Sequence, residues 1–430
     1  MSDTISAKPT NAPENPSAQS GTVALRRNPD YVKWFVSDVA ADGGAAILSF
    51  ATPLIALAIT GSLTLSGAIA GITALARVLA MLPGGVMADR HDRKKLLLIG
   101  HGCGAILWIA GITLFLCGLL NAFTLTFLGI AAGVRDGLFG AVSTPALRHL
   151  VPPAQLPKAL AANQARDGTI QLASGPIGGA LVTLAIWAPF AARTIGHILA
   201  WVAVRTIKTD LHPVTDSETP SSPIEQVKAG VVWLAYRRTI TTILIIAAVL
   251  SFAITGTVQA IVLHFAAAGQ NTTSIGLVPT ALAGGMIVGS MCAGPIAKKF
   301  PTGVVSIVST GLMCVAFAAL VATENFKAIL AILAVSAIAL PVFNSAASGW
   351  AISQIPDAKI GVISAASGLL NSILLPFAPL IAGFGLDMFG YSATTTLFVA
   401  IMLASALAMT FTREFRRLPR PDKWELELDA

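Results

Sequence analysis

The sequence predicts an all-α membrane protein of twelve transmembrane helices laid out as two six-helix pseudo-repeats, and three observations carry that expectation. The first is composition: only 11% of its 430 residues are charged and 55% are hydrophobic, with a mean hydropathy of +0.76. A soluble chain of this length needs about a quarter of its residues charged to cover its surface. The second is a series of apolar runs separated by charge, Pro and Asn clusters. The third is a match of the chain with itself at a fixed offset.

A spanning helix needs about 20 mostly apolar residues. Such runs fall at 34–59, 66–88, 96–117, 122–147, 158–183, 186–204, 240–266, 273–297, 303–322, 327–351, 359–384 and 389–411. Residues 1–30 are rich in Ser, Pro, Ala and Asn and lack an apolar stretch, so they read as a disordered cytoplasmic tail and not as a signal peptide. A first six-helix lobe over 31–204 follows. Residues 205–238 are a cytoplasmic linker whose 224–238 portion reads as an amphipathic helix, 239–412 a second lobe, and 413–430 a cytoplasmic tail.

Loop charge alternates along the chain. Arg90, Arg93, Lys94, Lys95, Arg148, Lys158, Arg205, Lys208, Arg237, Arg238, Lys298, Lys299 and Lys359 collect on one side, whereas "TGSLTLS", "GLLNAFT" and "AGQNTTS" on the other are uncharged. The excess of positive charge marks the cytoplasmic side and puts both termini there.

The self-match appears at an offset of 204 residues. "VPPAQLPKALAAN" (151–163) falls on "IPDAKIGVISAAS" (355–367), and "GVMADRHDRKK" (85–95) within "GGVMADRHDRKK" falls on "GSMCAGPIAKK" (289–299). One offset serving two distant segments argues for a duplicated unit, the organisation of a rocking two-lobe transporter.

The formal charge of +7 does not point to nucleic acid, because the basic residues sit between apolar runs and not among aromatics. Cys103, Cys117, Cys292 and Cys314 lie inside apolar runs without CxxC spacing, so they read as packing residues and no metal site is expected. No Walker loop, HExxH or GxSxG occurs. The expectation is therefore a non-enzyme with no cofactor, a monomer whose partners are the lipid bilayer, a small-molecule substrate and protons.

Ionisable residues inside spans are costly and face a cavity or one another. The first six spans hold Asp38, Asp42, Arg77, Arg135, Asp136, Arg166, Asp167 and Arg193, with His197, while the last six hold only His264 and Asp387. At 1.5 Å per residue, Asp42, Arg77, Arg135 and Asp167 lie roughly 12–18 Å deep in a core about 30 Å thick.

Asp38 and Asp42 are four residues apart and share a helix face. Two such carboxylates in a poorly hydrated cavity resist joint ionisation, the property a proton-coupling site requires. Water exposure for Asp38, and a structural ion pair for Asp42, remain alternatives. Arg135 with Asp136, and Arg166 with Asp167, are sequence neighbours about 100° apart on a helix. One of each pair is expected to face the cavity and the other a neighbouring helix, with internal pairing of Arg166 and Asp167 as the alternative. In the second lobe Gln259, His264, Phe343, Asn344 and Asn371 are candidates for a cavity wall beside those of Arg77, Arg166 and Arg193.

"GGVMADRHDRKK" resembles the G-x-x-x-D-R-x-x-R-K signature of the major facilitator superfamily. "ALAITGSLTLSG", "GVRDGLFGAVSTPAL", "PALRHLVPPAQLPKALAANQ" and "SGPIGG" resemble, in order, its branch of enterobactin exporters and macrolide-efflux proteins. The resemblance implies the major facilitator fold in a bacterial cytoplasmic (inner) membrane.

It further implies that Gly85 permits a tight turn and close helix approach. Asp89 would meet the N-terminus of the eleventh helix, and Arg93 would pair with acidic groups at a cytoplasmic gate. Arg90, Lys94 and Lys95 are equally explained by topology. The repeat partners of Asp89 and Arg93 are Ala293 and Ala297, so one lobe supplies the latch.

Gly175, Pro176, Gly178 and Gly179 resemble the antiporter motif of the fifth helix with one residue fewer before the glycine pair; plain helix packing explains them as well. Arg135 sits where relatives carry an arginine linked to proton transfer. The implied activity is proton-coupled export of an amphipathic small molecule, a siderophore or drug, and Asp38, Asp42, Arg135, Asp136 and Asp167 are the candidates for coupling. The alternative is a lipid or lysolipid flippase of the same fold without proton coupling.

Overall fold

Polar caps and left-handed glycines punctuate the apolar helices. In the computed structural model, which describes residues 25–212, 223–356 and 359–424, Asn28 accepts from the amides of Asp30 and Tyr31 and Pro29 opens α1 (Pro29–Thr60). Gly61 ends that helix at φ 65°, a conformation only glycine adopts without cost. Ser62 caps α2 (Leu63–Arg90), Asp92 caps α3 (Arg93–Leu116), and a capping box at Asn121 and Thr124 starts α4 (Ala122–Gly140). The short α5 (Ser143–Leu150), then α6 (Leu156–Leu184) and α7 (Ala188–Arg205), complete the N-terminal half.

The C-terminal half begins with α8 (Pro223–Tyr236), where an amphipathic linker helix was expected, and α9 (Arg238–Ala267). Next come α10 (Thr272–Ile275), α11 (Leu277–Lys299), α12 (Thr302–Val321), α13 (Phe326–Ala337) and α14 (Ala339–Phe343). A π-helical turn over Asn344–Ser348 leads into α15 (Gly349–Ser353). Finally α16 (Ile360–Leu374), α17 (Phe377–Phe411) and α18 (Arg413–Arg416) close the chain. Gly390, at φ 76°, breaks α17 into two arms.

The all-α expectation holds: among the described residues there is no strand, and nine helical stretches are long and apolar enough to cross a membrane. One of the nine, 366–411, contains the Gly390 break. The charge-bearing α6 and α7 are not among the nine, because Arg166, Asp167 and Arg193 interrupt their apolar surface.

Close packing is built on small residues. Gly129, Gly133 and Gly137 of α4 lie against Thr73, Ala76, Arg77 and Ala80 of α2, and a Cβ on Gly137 would come within 2.6 Å of the Ala80 side chain. Gly84 continues this face, where a Cβ would meet Leu138 Cα at 2.8 Å. The expectation for Gly85 is therefore corrected. It lies inside α2 and not at a turn, and a Cβ there meets nothing within 4 Å. Gly85 points about 100° away from the packed face that Gly84 completes.

The domain edges also shift. Leu25–Arg27 form a 3-10 turn with Leu25 buried, although they were expected in the disordered tail. Ile207 and Leu211, expected in the linker, are buried against Tyr31, Trp34 and Leu147. The Asp30 carboxylate holds the strap that carries them, accepting from the amides of Lys208 and Thr209 at 3.0 and 2.8 Å. At the C-terminus Phe415 and Leu418 are buried, and Trp424 Nε1 donates to Thr302 Oγ1 at 3.1 Å. Residues 1–24 and 425–430 of the expected tails and 213–222 of the linker lie outside the described residues.

The halves meet at the ends that carry the uncharged loops. Asp387 of α17 accepts from the Thr64 amide at 2.7 Å and Ser62 Oγ at 3.4 Å, at the start of α2. Thr183 of α6 bonds Thr272 of α10 at 2.6 Å, and Thr280 donates to the Leu172 carbonyl at 2.8 Å. Glycines make both contacts possible: Gly67 against Gly383, Gly175 against Gly276 and Pro279, and Gly179 against Thr272 and Thr273.

Candidate functional site

Four helices of the N-terminal half bring their charges to one place. Arg166 of α6 is the hub, reaching Asp38 at 2.9 Å and Asp42 at 3.1 Å on α1, and its own neighbour Asp167 at 2.8 Å. Its guanidinium also lies 5.8 Å from the Phe35 ring centroid. Asp38 accepts a further bond from Ser143 Oγ at 2.5 Å, and Ser143 in turn accepts from Trp34 Nε1 at 2.9 Å. The shared face of Asp38 and Asp42 is thus realised with a cation between the two carboxylates, which offsets their mutual repulsion.

A second knot centres on Asp136 of α4. Arg135 reaches it at 2.5 Å and Arg193 of α7 at 3.0 Å. Arg193 also donates to the Ala41 carbonyl of α1 and is only 4% exposed. Arg135 donates through Nε to the Gly100 carbonyl at 2.8 Å and approaches His101 at 3.4 Å.

Of each pair of sequence neighbours the aspartate, Asp136 or Asp167, lines the cavity and the arginine turns to a neighbouring helix, Arg135 to α3 and Arg166 to α1, while both pairs also close on themselves. A guanidinium on a long stem curls back to the adjacent carboxylate, which a helical-wheel argument from Cβ directions overlooks. Burying ions costs several kcal/mol each unless they are paired and hydrogen-bonded, and these two knots supply the pairing.

The knots border a cavity of about 560 Å³ lined by Asp42, Asp136, Asp167, Arg77 and Arg193 on its charged side and by Trp108, Leu125 and Phe190 on its apolar side. Trp108 and Phe190 are stacked at 5.4 Å. Of the acids, Asp42 and Asp167 are open, with side chains 53% and 57% exposed, whereas Asp38 is 14% exposed. Arg166, expected on the cavity wall, is 8% exposed and does not line it, because three carboxylates enclose its head.

In the C-terminal half a smaller cavity of about 280 Å³ is lined by Phe343, Asn344 and Asn371 together with Ser251, Ser348 and Ser367. Two other expected wall residues lie elsewhere. His264 stacks on Tyr391 at 4.5 Å, drawn into an aromatic cluster with Phe265 and away from either cavity. Gln259 lines neither cavity, and its Nε2 is buried without a partner among the described residues.

The signature stretch occupies the opposite end of the N-terminal half from the contact between halves. Asp89 and Arg90 are exposed at the end of α2. Arg93 meets His149 of α5 at 2.6 Å, and among the described residues no carboxylate lies within ion-pair distance of it. No hydrogen bond joins Asp89 to α16 among the described residues. Lys94 Nζ donates to the Ile207 carbonyl at 2.5 Å, tying the signature to the strap. Asp92 is the α3 cap, accepting from the Lys94 amide at 2.8 Å.

In α6, Pro176 sits within an unbroken helix. Gly175 and Gly179 face the other half, and Gly178 packs on Ile47 and Phe50 of α1. Sequence reasoning missed His101, Ser143, Trp108 and Phe190. His101 and Trp108 share α3 while Ser143 and Phe190 stand on α5 and α7, all in apolar surroundings without a motif to flag them.

The sequence profile of the Major Facilitator Superfamily matches residues 35–266 and again 243–428. The chain belongs to the major facilitator superfamily. Within it, macrolide efflux protein A of Streptococcus pyogenes is 21% identical over 408 residues, covering 90% of this chain and 98% of the relative. Solved superfamily structures share the fold at lower identity. A nucleoside transporter aligns with a TM-score of 0.69 at 13% identity, over 90% of this chain and 100% of its own. A bacterial homologue of the iron transporter ferroportin in an inward-facing state aligns at 0.65 and 15% identity, over 90% and 98%. A bacterial homologue of the human lysosomal transporter Spinster, inward-facing, aligns at 0.66 and 14%, over 92% and 97%. The protein is thus a multi-pass membrane transporter of the major facilitator superfamily.

Proposed function

We propose that this protein is a secondary active exporter of an amphipathic small molecule, a siderophore or drug, driven by proton antiport through alternating access. The observation that carries the reading is the cluster of four aspartates and four arginines around one cavity in an otherwise apolar bundle. Charge at that depth is expensive and marks an ion or substrate pathway. The efflux relative supports the outward direction of transport.

In this reading the chain crosses a bacterial inner membrane twelve times as a monomer. Two six-helix repeats are joined by a cytoplasmic linker, and both termini are cytoplasmic. The contacts among α2, α6, α10 and α17 then close the outer side, so the cavity faces inward.

Asp42 and Asp167 are the open carboxylates that exchange a proton with the inner water. Protonation of either withdraws one ligand from Arg166, and the relaxed hub lets α1 and α6 shift against each other. Asp38 and Asp136 hold the hub and the second knot in place. Asp89 and Arg93 come together with the second lobe only after the cytoplasmic side closes, which agrees with Arg93 resting on His149 in the present state.

The test is transport into inside-out vesicles, with cargo taken from the compounds that a strain lacking the protein retains. Uptake should require a pH gradient and dissipate it, and Asp42→Asn should uncouple the two. Uptake indifferent to the gradient, with Asp42→Asn unchanged, would remove proton coupling from the account.

A further inference from the structure

Arg77 differs from the other three arginines of the cluster. Arg135, Arg166 and Arg193 each hold a carboxylate within ion-pair distance. Among the described residues Arg77 has neither an ion pair nor a side-chain hydrogen bond, yet it is exposed and lines the 560 Å³ cavity. It lies about 20 Å from either end of α2 at 1.5 Å per residue, farther than a guanidinium can snorkel to an interface.

Its place is also built. Gly133 and Gly137 of α4 press against the Arg77 backbone, and any side chain on Gly137 would run into the Arg77 carbonyl. The backbone below the guanidinium is therefore fixed, and the only open direction is the cavity. Trp108 and Phe190, stacked on each other and largely buried, form part of the apolar wall of the same cavity. A fixed cation without an ion pair, in a cavity with an apolar wall, is an arrangement that recognises an anion on an apolar body.

We infer that Arg77 is the docking point for an acidic group on the transported solute, with the solute's apolar body against Trp108 and Phe190. The inference rests on reading this cavity as the cargo site, and it is independent of proton coupling. Every cavity carboxylate has an arginine within ion-pair distance, whereas Arg77 has no carboxylate that close among the described residues, so at this point of the wall the group left for a ligand to satisfy is a cation. An uncharged or purely cationic solute would leave Arg77 without a counter-ion.

The test uses the full chain in lipid nanodiscs and two probes of matched shape, 1-naphthylacetate and 1-naphthylacetamide, measured by equilibrium binding at neutral pH. The acid should bind about tenfold more tightly than the amide, the value of one charge-assisted contact. That ratio should fall to about one in Arg77→Gln and persist in Arg77→Lys. The double variant Arg77→Gln with Asp167→Asn restores the charge balance of the cluster without restoring the contact, so the preference should stay lost.

A wild-type ratio near one, no binding of the acid, a preference that survives Arg77→Gln, or its return in the double variant would each overturn the inference. Trp108→Ala separates this failure from that of the cargo-site reading. If it leaves both probes unaffected, the cavity does not bind them and both readings fall. If it weakens both while Arg77→Gln changes neither, the cavity stands and Arg77 alone loses its role.

Discussion

The two halves of this transporter solve the same problem with different chemistry. Three aspartates and two arginines line the cavity of the N-terminal half, with Asp38, Arg135 and Arg166 paired behind them. Around that of the C-terminal half stand two asparagines and three serines among three leucines, a phenylalanine, an alanine and a glycine, with no charged residue. The contrast teaches that charge handling has been concentrated in one half, leaving the other as a neutral hydrogen-bonding wall. The signature follows the same division, with Asp89 and Arg93 in the first half and Ala293 and Ala297 at the matching positions of the second.

Breaking the comparison at its hub should give the largest effect. Arg166→Ala leaves Asp38, Asp42 and Asp167 without their common cation, and removing one partner of a buried ion pair costs about 3–5 kcal/mol. Thermal unfolding in nanodiscs should show that loss. Asn371→Ala in the second half, at an exposed side chain without a hydrogen bond among the described residues, should cost about 0.5 kcal/mol or less. Equal losses in the two variants would erase the asymmetry.

The contact between halves offers the next test. Gly179 sits against the Thr272 carbonyl, and a Cβ would come within 2.9 Å of Thr273 Cα. Gly179→Val should therefore push α6 from α10 and favour the state opened at this end. A cysteine introduced at Thr280, which bonds the Leu172 carbonyl, should then be alkylated faster from the outside. Unchanged labelling would mean that the glycine face does not hold the halves together.

These predictions rest on geometry only partly legible in the sequence. Helix positions were readable because each element carries its own signal: an apolar run, an Asn or Asp cap, or a glycine such as Gly61 at its end. The presence of the eight charges was readable too, since each violates the apolar pattern of its own span. Their pairing was not, because Arg166 meets Asp38 across 128 residues of sequence. That one of Arg135 and Asp136 faces the cavity, here Asp136, and the other a neighbouring helix was readable from their separation of about 100°, whereas the bond between them was not, because it depends on the length of the arginine stem. The edges at 25–30, 206–211 and 413–424 looked like linker and tail because each buries only a few side chains, Leu25, Ile207 or Phe415, among polar neighbours.

Two smaller effects would sharpen the contrast. His101 and His197 are buried with Nδ1 atoms 3.4 Å apart, beside Arg135. His101→Phe should loosen the orientation of Arg135, costing transport rate more than cargo affinity by a few-fold. The smallest change is expected in Asn344→Ala. It should raise the cargo KM by less than tenfold, because a neutral hydrogen bond to the cargo contributes about 1 kcal/mol, and leave proton coupling intact. A coupling defect in Asn344→Ala would put proton handling in both halves.

The central claim is that the first-half cluster couples protons to export. Inside-out vesicles holding an acid-inside gradient test it most directly, by following the collapse of that gradient when a retained compound is added. The account predicts collapse with the wild type and none with Asp42→Asn, although the variant still binds the compound. Compound entering wild-type vesicles while the gradient stays intact, or full coupling in Asp42→Asn, would contradict it.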